Sequence, residues 1–203
     1  MTGRTSETDV ALMERVREDD EPAFALLYQR YTGKLQNFFY ALGRETDTAE
    51  DLAQDTFMRV WRLRRRYAAT GPFPAYLFAI ARFVWLEHCR RMGREARLGS
   101  RFDLDGPTPI TPAAPAPRPD ERAEQAEEDA RVRAVLDAVL DALPDDQRMA
   151  LVLRIMEGLS LEETASVLQC PVNTVRSRRL AALKKLREAL RKHRIQGKAR
   201  WPQ

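Results

Sequence analysis

The sequence predicts an all-α protein of two helical domains joined by a Pro-rich linker. Apolar residues recur at three- and four-residue steps on both sides of the linker, which is typical of amphipathic helices. No alternating strand pattern of useful length appears. Six of the twelve prolines fall between residues 102 and 120, where they remove backbone donors. We therefore expect helical domains at residues 1–97 and 126–203, with the linker at 98–125.

Composition excludes several classes of protein. Hydrophobic residues make up 44% of the 203 residues, enough for packed cores, and no apolar run approaches the roughly 20 residues of a membrane span. The polar N-terminus has no signal-peptide pattern. Cys89 and Cys170 lie far apart, and His88 and His193 are isolated, so we expect no disulfide scaffold, metal or cofactor. Scarce cysteines and the absence of a signal-peptide pattern or membrane span predict a cytoplasmic protein. No catalytic motif appears, so we expect that the protein is not an enzyme.

The first half carries three predicted helices. The apolar stripe over residues 24–42 predicts one helix, and Gly43 is placed to end it. A second helix is expected to begin near Thr48, where Thr48 and Asp51 match a capping signal. After a break rich in proline and glycine, a third helix is predicted over about 75–91.

The second half begins with an apolar repeat over residues 132–143, which predicts a helix that Pro144 ends. Asp145 is then expected to open another helix, with Gly158 as its stop. Both helices would present one apolar face to a shared core.

A helix-turn-helix follows. Ser160 and Glu163 form a capping box before a short helix, residues 169–171 form a turn, and a long basic helix runs over about 172–192. In this motif the second helix enters the major groove, and its first turns reach base edges. The predicted DNA-binding residues of this helix are Thr174, Arg176, Ser177, Arg178, Arg179 and Lys184. A helical hairpin with a solubilising charged face is the alternative.

Positive charge is concentrated in two regions. Residues 171–203 hold eleven Lys or Arg and one acid, a net +10, and residues 59–97 hold ten Arg and two Glu, a net +8. Between them, residues 120–168 have five Arg and thirteen acids, a net −8. Basic patches of this kind usually neutralise phosphates, although either one alone could be a solvated helix face.

Aromatic residues are interleaved with the arginines of the first half. Guanidinium groups hold phosphates and aromatic rings stack on unpaired bases, so this pattern favours a melted strand as ligand. The predicted contacts are Arg64, Arg65, Arg66, Tyr76, Arg82, Phe83, Arg90 and Arg91. The alternative for Tyr76 and Phe83 is a place in the core.

Two segments resemble a known family. Residues 49–62, AEDLAQDTFMRVWR, resemble region two of the sigma-seventy family of bacterial RNA polymerase factors, and residues 143–160 with 171–178 are similar to region four. Their order, with no other regions, resembles the extracytoplasmic-function group.

The resemblance implies a sigma factor that binds core RNA polymerase and directs promoter recognition, DNA opening and transcription initiation. It implies that the first half docks on the clamp helices of the large subunit and holds the minus-ten element as a single strand. The second half would read the upstream box as duplex, and an anti-sigma factor would be a usual partner. The implied polymerase-binding residues are Asp51, Gln54, Asp55, Phe57 and Trp61, of which Phe57 and Trp61 suit the core equally well.

Some positions depart from the family pattern, so the promoter sequence does not follow from the resemblance. The departures are Tyr76, Phe83 and Glu87 in the third helix and Arg179, Ala181 and Leu183 in the last. A stand-alone helix-turn-helix regulator that binds duplex DNA is the alternative function. It would need a dimerisation element, and it leaves the 49–62 motif unexplained.

Overall fold

The computed structural model describes residues 7–98, 137–138, 140 and 142–192, and the regular elements within those ranges are all helical. The helices are α1 (Asp9–Arg17), α2 (Glu21–Gly43), α3 (Thr46–Leu63), α4 (Phe73–Leu98), α5 (Asp145–Ile155), α6 (Leu161–Leu168) and α7 (Val172–Lys192), with a 3-10 turn at Arg64–Arg66. The all-α prediction is confirmed. Apart from Leu98, which ends α4, the predicted linker lies outside the described residues, as does most of the predicted helix over 132–143.

Helix α1 was not predicted from the sequence. The Thr8 side chain accepts a hydrogen bond from the Ala11 amide (3.3 Å) and so caps the first turn. The Tyr31 hydroxyl of α2 donates to Asp9 (2.5 Å), which ties the start of α1 to α2. The apolar face of α1 is fully buried through Leu12, Met13 and Val16.

Helix α2 begins and ends for identifiable reasons. The Asp20 side chain accepts from the Ala23 amide (3.0 Å), and Pro22 stands in the first turn. The helix ends at Gly43 as predicted, but the left-handed residue is Arg44, with φ of 63°. A Cβ at Gly43 would lie 3.1 Å from the Trp85 ring, so a larger residue there would require the ring to shift by a few tenths of an ångström.

Two predicted boundaries of the first half are wrong. Helix α3 begins at Thr46, and the Thr48 hydroxyl donates to the Glu45 carboxylate (2.5 Å) where a cap with Asp51 was expected. Helix α4 runs to Leu98, seven residues beyond the predicted end at Arg91. The helix continues because nothing between these positions removes a backbone donor; the intervening glycine weakens a helix without ending it.

The second half follows its predicted start signals closely. Asp145 opens α5 after Pro144, although α5 ends at Ile155, before Gly158 with its φ of 70°. The capping box of α6 is formed: the Ser160 hydroxyl accepts from the Glu163 amide (3.1 Å), and the Glu163 carboxylate accepts from the Ser160 amide (2.6 Å).

The two halves pack against each other through α5 on α2 and α6 on α4, and one apolar cluster includes residues of both. Arg148 of α5 is 9% exposed, and its guanidinium donates to the Leu42 carbonyl (2.6 Å) and the Leu143 carbonyl (3.1 Å). Because the last carbonyls of a helix lack partners within it, Arg148 stabilises the end of α2. Arg44 also pairs with Asp137 (2.9 Å).

Candidate nucleic-acid interface

The buried face of α7 anchors the helix-turn-helix. Val175, Ala182 and Leu186 are buried. The preceding turn is closed by Gln169 in the left-handed region (φ 50°) and by the Cys170 amide, which donates to the Ala165 carbonyl (3.1 Å). The opposite face of α7 is therefore held outward at a fixed angle from α6.

The first turns of α7 present most of the predicted DNA-binding residues. Arg176 and Ser177 are exposed, and Thr174 is half-buried. The Ser177 hydroxyl donates to the Thr174 carbonyl (3.0 Å), so it lies against its own helix. Lys184 is exposed about two turns further along the helix.

Arg178 has partners inside its own half. Its guanidinium donates to the Asp146 carboxylate of α5 (2.5 Å) and lies 3.5 Å from the Cys170 sulfur. The Asp146 partner stands 32 positions earlier in the chain, so the local pattern gave no sign of it. Arg178 thus holds α7 against α5, whereas Arg176 makes no such bond among the described contacts. Arg179 is half-buried.

The arginine turn between α3 and α4 is fixed by the N-terminal segment. Arg64 and Arg65 both donate to the Asp19 carboxylate, at 2.5 and 2.6 Å, and these bonds, from Arg65 first and Arg64 second, lower the pKa of Asp19. Arg64 also lies over the Trp61 ring, 4.2 Å from its centroid. Arg66 is exposed. Of the three arginines in this turn that were predicted to bind DNA, Arg64 and Arg65 therefore have a structural role in the free chain.

The two predicted aromatic contacts differ in exposure. Tyr76 is half-buried, its ring 4.9 Å from that of Tyr67 in an edge-to-face arrangement, and burial raises the pKa of its hydroxyl. Phe83 is 55% exposed. The predicted arginines of α4 reach solvent to different extents: Arg90 and Arg91 are exposed, and Arg82 is half-buried.

The polar face of α3 is open. Asp51 and Gln54 are exposed on it. Asp55 is half-buried and accepts from Arg59 of the next turn (Nη2 to Oδ2, 2.9 Å). Asp51 and Gln54 therefore form the accessible part of the predicted polymerase-binding set.

The apolar members of that set belong mostly to the core. Phe57 is 2% exposed, with its ring 4.6 Å from Tyr28 and 6.0 Å from Phe24. Trp61 is half-buried, 5.0 Å from Phe24. Phe57 was predicted as a polymerase contact with the core as an equal alternative, and its burial in the apolar stripe of α3 favours the core.

Within the described ranges, no group of three or more His, Cys, Asp or Glu side chains is arranged to hold a metal ion. Among the helices of those same ranges, none has the length and apolar character needed to cross a membrane. Cys89 and Cys170 are free thiols.

Comparison with known proteins agrees with this geometry. The family model for Sigma-70 region 2 matches residues 27–95, and that for Sigma-70, region 4 matches residues 133–186. The ECF RNA polymerase sigma-E factor of Escherichia coli is 30% identical over 178 residues, which cover 84% of this chain and 88% of that protein. The chain belongs to the extracytoplasmic-function (ECF) group of the sigma-70 family.

Further relatives of this ECF sigma factor span nearly the whole chain. The RNA polymerase sigma-H factor of Pseudomonas aeruginosa is 32% identical over 193 residues, 92% of this chain and 95% of that protein. Among solved structures, the sigma factor RpoE of Bartonella quintana in complex with the anti-sigma factor NepR has a TM-score of 0.62 at 26% identity, covering 83% of this chain and 96% of that one. The family predicted from the two motifs is confirmed.

Proposed function

We propose that this ECF sigma factor binds core RNA polymerase in the cytoplasm and directs it to the promoters of a specific regulon. It catalyses no reaction itself. The observation that carries the proposal is the pair of separate polar surfaces in one chain. Asp51 and Gln54 lie open on α3, and Arg176 and Ser177 lie open at the start of α7. The first surface suits a protein partner, and the second suits duplex DNA.

The two halves divide the promoter between them. Residues 1–97 dock on the polymerase and hold the minus-ten element as a single strand, through arginines and aromatic rings such as Arg66, Phe83 and Arg90. Residues 126–203 read the upstream box as duplex through Thr174, Arg176 and Ser177, while Lys184 meets phosphate. The linker over 98–125 joins the two.

The polymerase contact is assigned to the open face of α3. Asp51 and Gln54 are the side chains that reach the clamp helices of the large subunit directly. Asp55 contacts the clamp helices next to them, and its carboxylate also accepts a hydrogen bond from Arg59. Phe57 and Trp61 lie on the buried side of α3 and hold its open face in place by packing on Phe24 of α2.

An anti-sigma factor is a further proposed partner. The similar RpoE chain of Bartonella quintana was solved with the anti-sigma factor NepR. A partner of this kind would compete with the polymerase for the face of α3 that carries Asp51 and Gln54.

Run-off transcription tests the proposed function. Core polymerase is incubated with sheared DNA of the source organism, with and without the protein. We expect new discrete transcripts that depend on the protein, and their start sites locate the promoter boxes. A protein that adds no transcripts but binds duplex DNA without polymerase would instead be a stand-alone regulator. That alternative also requires a dimer, which gel filtration detects.

A further inference from the structure

Asp19 lies in the turn between α1 and α2 and places its carboxylate against the arginine turn. Its backbone is in the left-handed region, with φ of 68°, which aspartate adopts more readily than most residues other than glycine. Arg64 donates through Nε to one carboxylate oxygen (2.5 Å), and Arg65 donates through Nη2 to the other (2.6 Å). Two guanidinium groups that converge on one anion in this way would hold a phosphate group equally well.

The two arginines differ in how firmly they are held. Arg64 also donates to the Trp61 carbonyl (2.8 Å) and lies over the Trp61 ring, so it has partners that do not depend on Asp19. The Arg65 side chain is 73% exposed, and its bond among the described contacts is the one to Asp19. Without Asp19, Arg64 would stay in place and Arg65 would be open to another anion.

We propose that Asp19 occupies a phosphate site of the arginine turn in the free chain, and that a phosphodiester group of single-stranded promoter DNA displaces it from Arg65. The inference rests on the proposed function, which assigns the neighbouring Arg66 to the minus-ten strand. Arg66 is exposed and has no ion pair among the described contacts. The strand therefore meets one open arginine at this turn and one that is already neutralised.

The internal carboxylate lowers the affinity of the free protein for DNA. A strand that binds Arg65 must first break the bond to Asp19, so this contact contributes less than a contact with an open arginine. The Asp19 charge also repels the incoming phosphates. Because phosphate groups carry no base sequence, the loss is the same for every strand. Asp19 thus acts against non-specific binding of single strands.

Salt-dependent binding tests the proposal. The full-length protein is titrated into a short fluorescein-labelled single strand of mixed sequence, and fluorescence anisotropy gives the affinity at about 50 to 200 mM NaCl. Asp19→Asn and Asp19→Gly both remove the charge with a residue that tolerates the left-handed region. Glu18→Gln is the matched control, since Glu18 is exposed and its charge also acts on Arg65 but without a described hydrogen bond to it.

We expect both Asp19 variants to bind the strand more tightly than the intact protein. One restored arginine–phosphate contact should steepen the slope of log affinity against log salt by about 0.7, which corresponds to about threefold tighter binding at 200 mM and about eightfold at 50 mM. Glu18→Gln should keep the slope of the intact protein. In an Arg65→Ala background, Asp19→Asn should no longer change the slope, because the released group is absent.

Three results would overturn the proposal. Weaker binding by both Asp19 variants would mean that the carboxylate positions the arginines for DNA. An equal gain in Glu18→Gln, or a gain that persists without Arg65, would mark a general charge effect. Tighter binding of the Asp19 variants to core polymerase, with unchanged binding of the strand, would make the released arginine a protein contact. Failure of the proposed function looks different, because the intact protein would then neither bind core polymerase nor support any transcript.

Discussion

Replacing Glu157 by glutamine should stabilise the protein at neutral pH. The Glu157 side chain is half-buried just after the end of α5, where α5 packs on α2. Its Oε2 atom is buried with no hydrogen-bond partner, and burial raises the pKa of the carboxyl to about 7, with Lys34 opposing the increase. Tyr31 of α2 is also nearby: burial, followed by its hydrogen bond to Asp9, raises the pKa of its hydroxyl, and the Glu157 charge makes a smaller contribution in the same direction.

The magnitude follows from the pKa of Glu157. An increase from 4.5 to about 7 sets a ceiling of about 3.4 kcal/mol, at about 1.36 kcal/mol per pKa unit. Because solvent still reaches part of the side chain, screening reduces our expectation to about 1–2 kcal/mol. The native state keeps its proton to higher pH than the unfolded chain. The free energy of unfolding therefore falls as pH rises from about 4.5 to about 7, and the loss is constant above that.

Urea denaturation at pH values from 5 to 8 measures this effect for the intact protein, Glu157→Gln and the exposed control Glu50→Gln. As pH rises to about 7, the unfolding free energy of Glu157→Gln should increasingly exceed that of the intact protein. Above pH 7 the difference should stay constant. The Glu50→Gln difference should show no such rise. A Glu157→Gln difference that is flat across the whole range would refute the reasoning.

Four further variants, one of them a double substitution, test other contacts. Arg148→Ala should lower the unfolding free energy by about 2–4 kcal/mol in chemical denaturation, because two buried carbonyls lose a charged donor. Ser160→Ala should lower it by about 1 kcal/mol through loss of the capping box; an unchanged value would mean that the cap is replaced by water. Arg176→Ala should weaken use of promoters that carry the upstream box by about 1–3 kcal/mol in transcription assays, whereas an equal loss on all sequences would mark a phosphate contact. Asp51→Ala with Gln54→Ala should weaken polymerase binding in a pull-down while circular dichroism stays unchanged; undiminished binding would remove the assignment of this face.

Elements with strong local signals could be predicted from the sequence. The capping box at Ser160, the turn before α7 and the end of α2 at Gly43 each depend on residues close in sequence. Helix α1 was missed because its nine residues are charged on one face and its stability comes from contacts with α2. The late end of α4 was missed because helix boundaries carry weak signals.

The candidate site was predictable in its residue types but not in its pairings. The basic helix and the arginine turn were apparent from charge and spacing. The Asp19 partner of Arg64 stands 45 positions away, and the Glu87 partner of Arg59 stands 28 positions away, so neither pairing had a local signal. Arg59 was not predicted as part of the site for this reason. Periodicity alone also could not separate a buried Phe57 from an exposed one.

The packing of α5 and α6 on the first half has a consequence for synthesis on the ribosome. Helices α1 to α4 are complete once Leu98 has been made, but α5 and α6, which cover the remaining apolar surface of α2 and α4, end at Leu168, about 70 residues later. At roughly 5–20 residues per second, the first half waits about 4–14 s for those partners. During that interval the nascent chain presents apolar surface that the finished protein hides, and we expect chaperones to bind there first.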